Sequence, residues 1–509
     1  MRGSGKRRAW ALGLLLACSS PDVIRVELVA VDGLDVERDF VTLSLQVRDE
    51  LGAVVVDRRD RDISSLGNDL ASAGALREGE RYHLRTVGRT REGVCTRRGR
   101  AVGRSLPFTH RSGGYVISMQ MGCADEFAPT RGQPIRGRLV HTMTSTRDGG
   151  AIVAGGWRGF TQVTLEALDP VRVIERYDAT TGRFSEIGNL ASLRLFAPTV
   201  ELGDGRVAVV GGLNGALGVC LTNAEVIWPP GAAPVSRMLE APRCGSRAVR
   251  LGETLAFVGG TPPPPALSPP FPRVEIHDAS MVGEPTRVTG GLSRNAPRVT
   301  ALAGNRGAFL GGGQELGVDF EVFLEDCGDG ACLVPVPTEP AVGTGWAEMS
   351  TTYVTCAEGG GAVYAVGGVR RELVGEMTEE EETGEVWCWL DRPEGGVLRQ
   401  IESLPEDAGY PRTIAVGGSS NPRLLVIANT VAQEVPVDPC TCGIRPAETE
   451  RVPLPPGPIA LLHEIATLAD GTTLVHGGVT TFLDETRPIE GEPSAWLFVP
   501  DVPLDEDLE

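Results

Sequence analysis

Six histidines, ten cysteines beyond residue 18 and one dense carboxylate run hold most of the chemistry this 509-residue sequence could offer. Imidazoles serve as acid–base groups and as metal ligands, but here they are dispersed. His83 and His110 lie in the first quarter of the chain. His141 and His463 each stand fourteen residues before a Gly-Gly doublet, and that shared offset implies one structural place in a repeated unit. His277, inside a strand pattern, and His476, beside Gly477-Gly478, read as packing residues. The stretch 376–385 gathers six glutamates but lacks the alternating Asp/Asn ligands of a calcium loop, so it reads as a solvated inter-strand loop. No nucleophile elbow, zinc-helix motif or phosphate loop occurs in its required context. The expectation is a non-enzyme, with no catalytic residue, no metal and no cofactor.

An even number of cysteines suits the disulfides of an exported protein. Cys327 and Cys332 flank Gly-Asp-Gly-Ala, a turn that would set them across a hairpin. Cys95 with Cys123, and Cys220 with Cys244, are plausible neighbours. Cys356 and Cys388 are placed two strands apart in one sheet, about 10 Å, a wide span for a direct bond. Cys440 and Cys442 either bridge each other or act as two separate half-cystines. No CxxC pair or nearby histidine supports a metal site.

Arg2, Lys6, Arg7 and Arg8 precede the apolar run Trp10–Leu16. That run is too short to span a bilayer core of about 30 Å and has the form of an export leader. It ends in Leu15-Leu16-Ala17-Cys18, which resembles the bacterial lipobox. The resemblance implies a leader over 1–18, with Cys18 lipidated and the membrane as a partner through that lipid. Ser19 follows where an acidic residue would retain the protein at the inner membrane, so the same resemblance points to the outer membrane of the cell envelope. Charge divides along the chain. Residues 22–123 carry 16 arginines against 15 acids, and residues 124–509 carry 28 against 52. So acidic a body repels phosphate backbones, which argues against nucleic acid.

The elements behind these residues are short strands. Glycine and proline make up about a fifth of the chain, and a β-branched run closing in Gly-Gly recurs every 48–61 residues. It is present in Ala151–Gly156, Val207–Gly212, Leu255–Gly260, Ala308–Gly312, Val363–Gly368 and Thr473–Gly478, and decayed in Leu424–Asn429. Dipeptides such as Asp148-Gly149 and Asp204-Gly205 supply the turn before it. A strand opened by glutamate follows: Glu175, Glu225, Glu275, Glu321, Glu385 and Glu434. A last short strand such as Phe184–Ile187 makes four per unit, and there are seven units.

This grammar resembles the Kelch repeat, most closely at Tyr177-Asp178 with Thr181-Gly182-Arg183-Phe184, where Phe takes the Trp place. The resemblance implies an all-β, seven-bladed Kelch-like β-propeller over 125–500, followed by an acidic tail over 501–509. The segment Phe127–Ile135 is expected to pair with Trp496–Val499 and close the ring, since an open ring would leave two bare sheet edges. One enzyme class of that family, the copper oxidases resembling galactose oxidase, needs histidines, tyrosines and a thioether-forming cysteine on the axis. With six tyrosines in all and no cysteine near a Tyr/His set, that carry-over fails. No residues of Kelch-like epimerases are recognised either. The proline run from Thr261 to Pro272 reads as a stiff excursion from the third unit.

Residues 22–123 carry period-two runs, among them Val41–Val47 and Tyr82–Val87, and read as a small immunoglobulin-like β-sandwich. Arg81, Arg85, Arg89, Arg91, Arg97, Arg98, Arg100, Arg104 and Arg111 crowd its second half. They read as a solvated strand face, with anionic headgroups as the alternative partner. The functional expectation is a lipid-anchored envelope scaffold whose propeller loops bind a protein or glycan, with no binding residue assigned. The alternative is a carbohydrate-active enzyme with its site at the axis.

Overall fold

The computed structural model describes residues 24–501 except 62–75, 112–114, 161–166, 216, 235–238, 261–273, 282–285, 289–296, 306, 312, 315–316, 319, 325–330, 340–345, 375–376, 393–395, 419–420, 429–430, 455–462, 479–488 and 492. The leader with Cys18, the proline run, Cys327 and the tail beyond Asp501 therefore lie outside the described residues.

The seven repeats fold as seven blades. Their innermost strands are Thr142–Ser145, Thr199–Glu201, Arg247–Leu251, Arg298–Ala301, Ser350–Thr355, Arg412–Val416 and Glu464–Thr467. Each touches the next, and the last touches the first, so the ring is closed around an axis. Within a blade, the strand ending in Gly-Gly pairs antiparallel with the inner strand on one side and with the glutamate-opened strand on the other.

The second strands are continuous apolar runs because both of their faces are buried. Ile152 and Ala154 of blade 1 pack against Val207 and Val209 of blade 2, while Ala151 faces blade 7. Ala208 and Val210 turn the other way, toward Leu255 and Phe257 of blade 3. Seven such apolar clusters, one per blade junction, form the core of the ring. Closure follows the expected scheme with a shorter strand: Glu126–Pro129 pairs antiparallel with Trp496–Val499, with Phe127 opposite Phe498.

A buried arginine staples successive blades, and it explains both the Gly-Gly doublet and the glutamate. Arg138 donates to the Gly155 carbonyl (3.0 Å), the Val173 carbonyl (2.6 Å) and Glu175 Oε1 (2.6 Å). Arg194 reaches the Gly211 carbonyl and Glu225 of blade 2, and Arg243 the Gly259 carbonyl and Glu275 of blade 3. The backbone of the same arginine lies on the doublet of the blade before: Gly156 N–H donates to the Arg194 carbonyl, and Gly212 N–H to that of Arg243. Gly155 and Gly156 take φ of 68° and 88°, and a Cβ on Gly155 would sit 2.4 Å from the Arg194 carbonyl oxygen. Only glycine accepts both demands. In blade 5, Trp346 replaces the arginine and gives its indole N–H to the Gly367 carbonyl at 2.6 Å.

The small β domain precedes the ring, and its strands form one curled seven-stranded sheet in place of the two facing sheets of a sandwich. Ile24–Ala30 runs parallel to Tyr115–Cys123, so the ends of the segment lie side by side. Apolar clusters around Leu45 and Met119, and around Phe40 and Met121, fill the sheet's concavities.

Four disulfides are described. Cys95–Cys123 and Cys220–Cys244 are as expected. Cys356 bonds Cys440 and Cys388 bonds Cys442, so Cys440 and Cys442 are two half-cystines. Cys356 and Cys388 are indeed two strands apart, and each instead meets the tight turn of blade 6. Cys332 is disulfide-bonded.

Candidate functional site

The inner strands all begin at one end of the ring, and their first residues surround the axis: Thr142, Thr199, Arg247, Arg298, Ser350, Arg412 and Glu464. The stapling Arg138 and Arg243 stand four residues before Thr142 and Arg247, which fixes where these strands start. Val140, Gly245, Glu348 and Tyr410, each two residues ahead of an inner strand, share positive φ of 53°, 69°, 57° and 49°. The chain therefore turns in the same way into each of these strands.

An open cavity of about 280 Å³ lies at this end, lined by Arg247, Arg298, Ser350, Thr351, Arg412, Thr413, Glu464 and nearby apolar residues. Arg298 donates to Glu348 Oε2 at 2.6 Å and to the Met349 carbonyl at 2.7 Å. Arg412 lies 3.6 Å from Glu464 Oε1. Burial pushes Arg298 down to about 10, which leaves it a cation at neutral pH, and burial lowers Arg247 as well. Burial would raise Glu464, but the Arg412 and Arg247 guanidiniums outweigh it and hold that carboxyl below its usual range. Three cations against Glu348 and Glu464 leave one net positive charge inside a strongly acidic body. None of these arginines was singled out in the sequence. The available signal was their place as first residue of an inner strand, readable only once the ring is closed.

The histidines form no such site. His141 Nε2 and His476 Nδ1 lie 3.0 Å apart, edge to face, between blades 1 and 7. Burial pushes His141 down to about 4 and His476 well below its ordinary value, so both are neutral packing groups. His277 Nε2 meets Glu275 Oε1 at 2.8 Å, and His110 Nδ1 meets the Tyr115 hydroxyl at 2.8 Å. Among the described residues, no group of three or more His, Cys, Asp or Glu is placed to hold a metal. A copper centre does not fit the guanidinium-lined axis.

The acidic run is a hairpin rather than a bare loop: Met377–Glu382 pairs with Val369–Val374. The arginine-rich stretch is likewise not wholly a solvated face. Arg97 pairs with Glu434 and Glu450, Arg98 with Asp125 and Glu450, and Arg100 with Asp501, which ties the small sheet to the ring. Arg423 completes the seam on Asp125 and Glu434. A wider cleft of about 670 Å³ runs along it, but Arg98, Arg100, Arg423 and Arg445 are all engaged by the protein's own carboxylates. The axial cavity is the better candidate.

Fold and site together define the class: a seven-bladed β-propeller with a small β domain ahead of it. No family model and no curated protein matches the chain. Among solved structures it is similar to a novel fungal alcohol oxidase with catalytic diversity among the AA5 family, in complex with copper. That likeness has 14% identity, covers 74% of this chain and 75% of that one, and has a TM-score of 0.49. It is also similar to YjhT, at 9% identity over 62% of this chain and 99% of that one, with a TM-score of 0.42. Among the described residues no helix is long and apolar enough to cross a membrane. The disulfides are those of a protein outside the reducing cytoplasm.

Proposed function

We propose that this protein is a binding scaffold of the bacterial cell envelope, a divergent Kelch-type propeller held at the outer membrane by lipid on Cys18. It receives a protein or glycan partner at the end of the ring where the inner strands begin. The observation that carries this reading is the convergence of Arg247, Arg298, Arg412, Glu348 and Glu464 from blades 3 to 7 on one axial cavity. Convergent polar groups in a pocket on a rigid scaffold are the usual form of a ligand site. Binding is favoured over acid catalysis by the state of the carboxylate that lines the cavity, Glu464. A general acid works with its pKa near the operating pH, whereas Glu464 is held below its usual range by its arginines.

The test is a glycan and envelope-protein binding screen with the form lacking residues 1–18. One saturable hit, weakened by substitution at the axial arginines, is the expected result. Turnover of a saccharide by that form would replace the scaffold reading with the enzyme reading. For the anchor, Cys18→Ser is expected to move the protein from the membrane fraction to the soluble fraction.

A further inference from the structure

Arg247 sets the axial cavity apart from the rest of the molecule. Its two axial counterparts have carboxylate partners, Arg298 at Glu348 and Arg412 at Glu464. Arg247 is half-buried and lines the cavity, and among the described residues its side chain makes no hydrogen bond or ion pair. Its five N–H donors are held by no carboxylate of the described residues and open into the cavity. What suits those donors is a ligand with acceptor oxygens.

We infer that the axial cavity is a carboxylate-binding site, with Arg247 as the fork that takes the carboxylate and Arg298 and Arg412 as its flanking cations. Planar guanidinium and carboxylate groups match in two parallel hydrogen bonds. The charge also selects. With Glu348 and Glu464 present, the cluster carries one net positive charge, which one carboxylate neutralises and a phosphate dianion overshoots. Two glutamates close to the bound group add repulsion that grows with ligand charge. A volume of about 280 Å³ admits a group of single-ring size. The carboxylate can belong to a small free acid or to the acidic end residue of a saccharide chain. This inference rests on the binding-scaffold reading and names the ligand chemistry for it.

The experiment is calorimetric titration of the full chain in detergent with D-glucuronate, a glucuronate-terminated oligosaccharide, inorganic phosphate and D-glucose. Glucuronate or the oligosaccharide should bind at one saturable site, more weakly at higher salt, while glucose should give no heat. Binding of both carboxylates assigns a free acid, and binding of the oligosaccharide alone assigns a chain end. Arg247→Met should weaken binding by about tenfold to a hundredfold, as expected for loss of hydrogen bonds to a charged group, with the thermal midpoint held. Should that variant fail to fold, Arg247→Gln and the wild-type panel decide. The inference is overturned if neither carboxylate binds, if phosphate binds more tightly than glucuronate, or if the Arg247 variant binds unchanged. A protein or neutral-glycan hit in the screen with no carboxylate binding sinks this inference alone. Chemical conversion of a bound carboxylate sinks the scaffold reading and leaves the site.

Discussion

Replacing Arg138 by methionine tests the staple that sets the ring together. Arg138 and Glu175 have fully buried side chains, and the glutamate also accepts the Ile135 N–H at 2.6 Å. Methionine fills much of the arginine's volume but leaves Glu175 as an uncompensated buried carboxylate, a change that costs about 3–5 kcal/mol. The ring of some 370 residues unfolds with an entropy of about 0.8 kcal/mol/K, so about 4 kcal/mol lowers its thermal midpoint by about 5 °C. Arg138→Met/Glu175→Gln removes the stranded charge, while the amide oxygen still accepts from Ile135. The double variant should recover at least half of the loss. Scanning calorimetry and urea titration of the two singles and the double give the coupling energy directly. If Arg138→Met costs under about 1 kcal/mol, or the double variant is no better than the single, the arginine is a passenger and the account of the glutamates is wrong.

Peptide mapping without reduction should recover Cys356 with Cys440 and Cys388 with Cys442, and removing Cys356–Cys440, which closes 84 residues, should cost about 4–5 kcal/mol by loop entropy. Burial, with Arg104 and Arg85 adding to it at His83, pushes His83 and His141 down to about 4 from an unfolded value of 6.5. The folded state therefore binds fewer protons between those values, and stability present above pH 6.5 is lost as pH falls toward 4. Each histidine should account for about 2 kcal/mol by pH 5, so His83→Asn should flatten the fall of the urea midpoint between pH 7 and pH 5. Leu497, buried in the closing blade, should tolerate no charge: Leu497→Asp should open the ring and appear as new protease cleavage near residues 126–129.

Much of the ring was legible because one physical demand repeats. A second strand buried on both faces must be apolar throughout, as in Val207–Val210, and a blade junction with no room for Cβ must be Gly-Gly, as at Gly155-Gly156. The closing strand was legible from the same repetition, since a segment preceding the first unit occupied the place of a fourth strand. The half-cystines at 440 and 442 were left open because their partners lie 84 and 54 residues away, across a blade junction that spacing alone does not reveal. The single curled sheet was missed because Ile24–Ala30 pairs with a strand about ninety residues later, and a period-two pattern carries no pairing order. The staple was overlooked although Arg138 and Arg194 each precede their doublet by seventeen residues, because Arg243 shifts by one and Trp346 takes over in blade 5. The axial arginines were invisible for a different reason: which end of an inner strand faces a cavity is a property of the closed circle.

The closing strand also sets a timetable. Glu126–Pro129 is among the first parts of the ring to be made, and its mate Trp496–Val499 is among the last, about 370 positions later. Until the final strand arrives, one edge of blade 7 has no neighbour and the junction around Leu497 and Leu474 stays wet. Six blades can stack as they emerge, but the circle is completed only when the whole chain has been synthesised and delivered to one compartment. A chain that stalls short of residue 495 is left with a sticky, half-built edge, a natural target for chaperones and proteases.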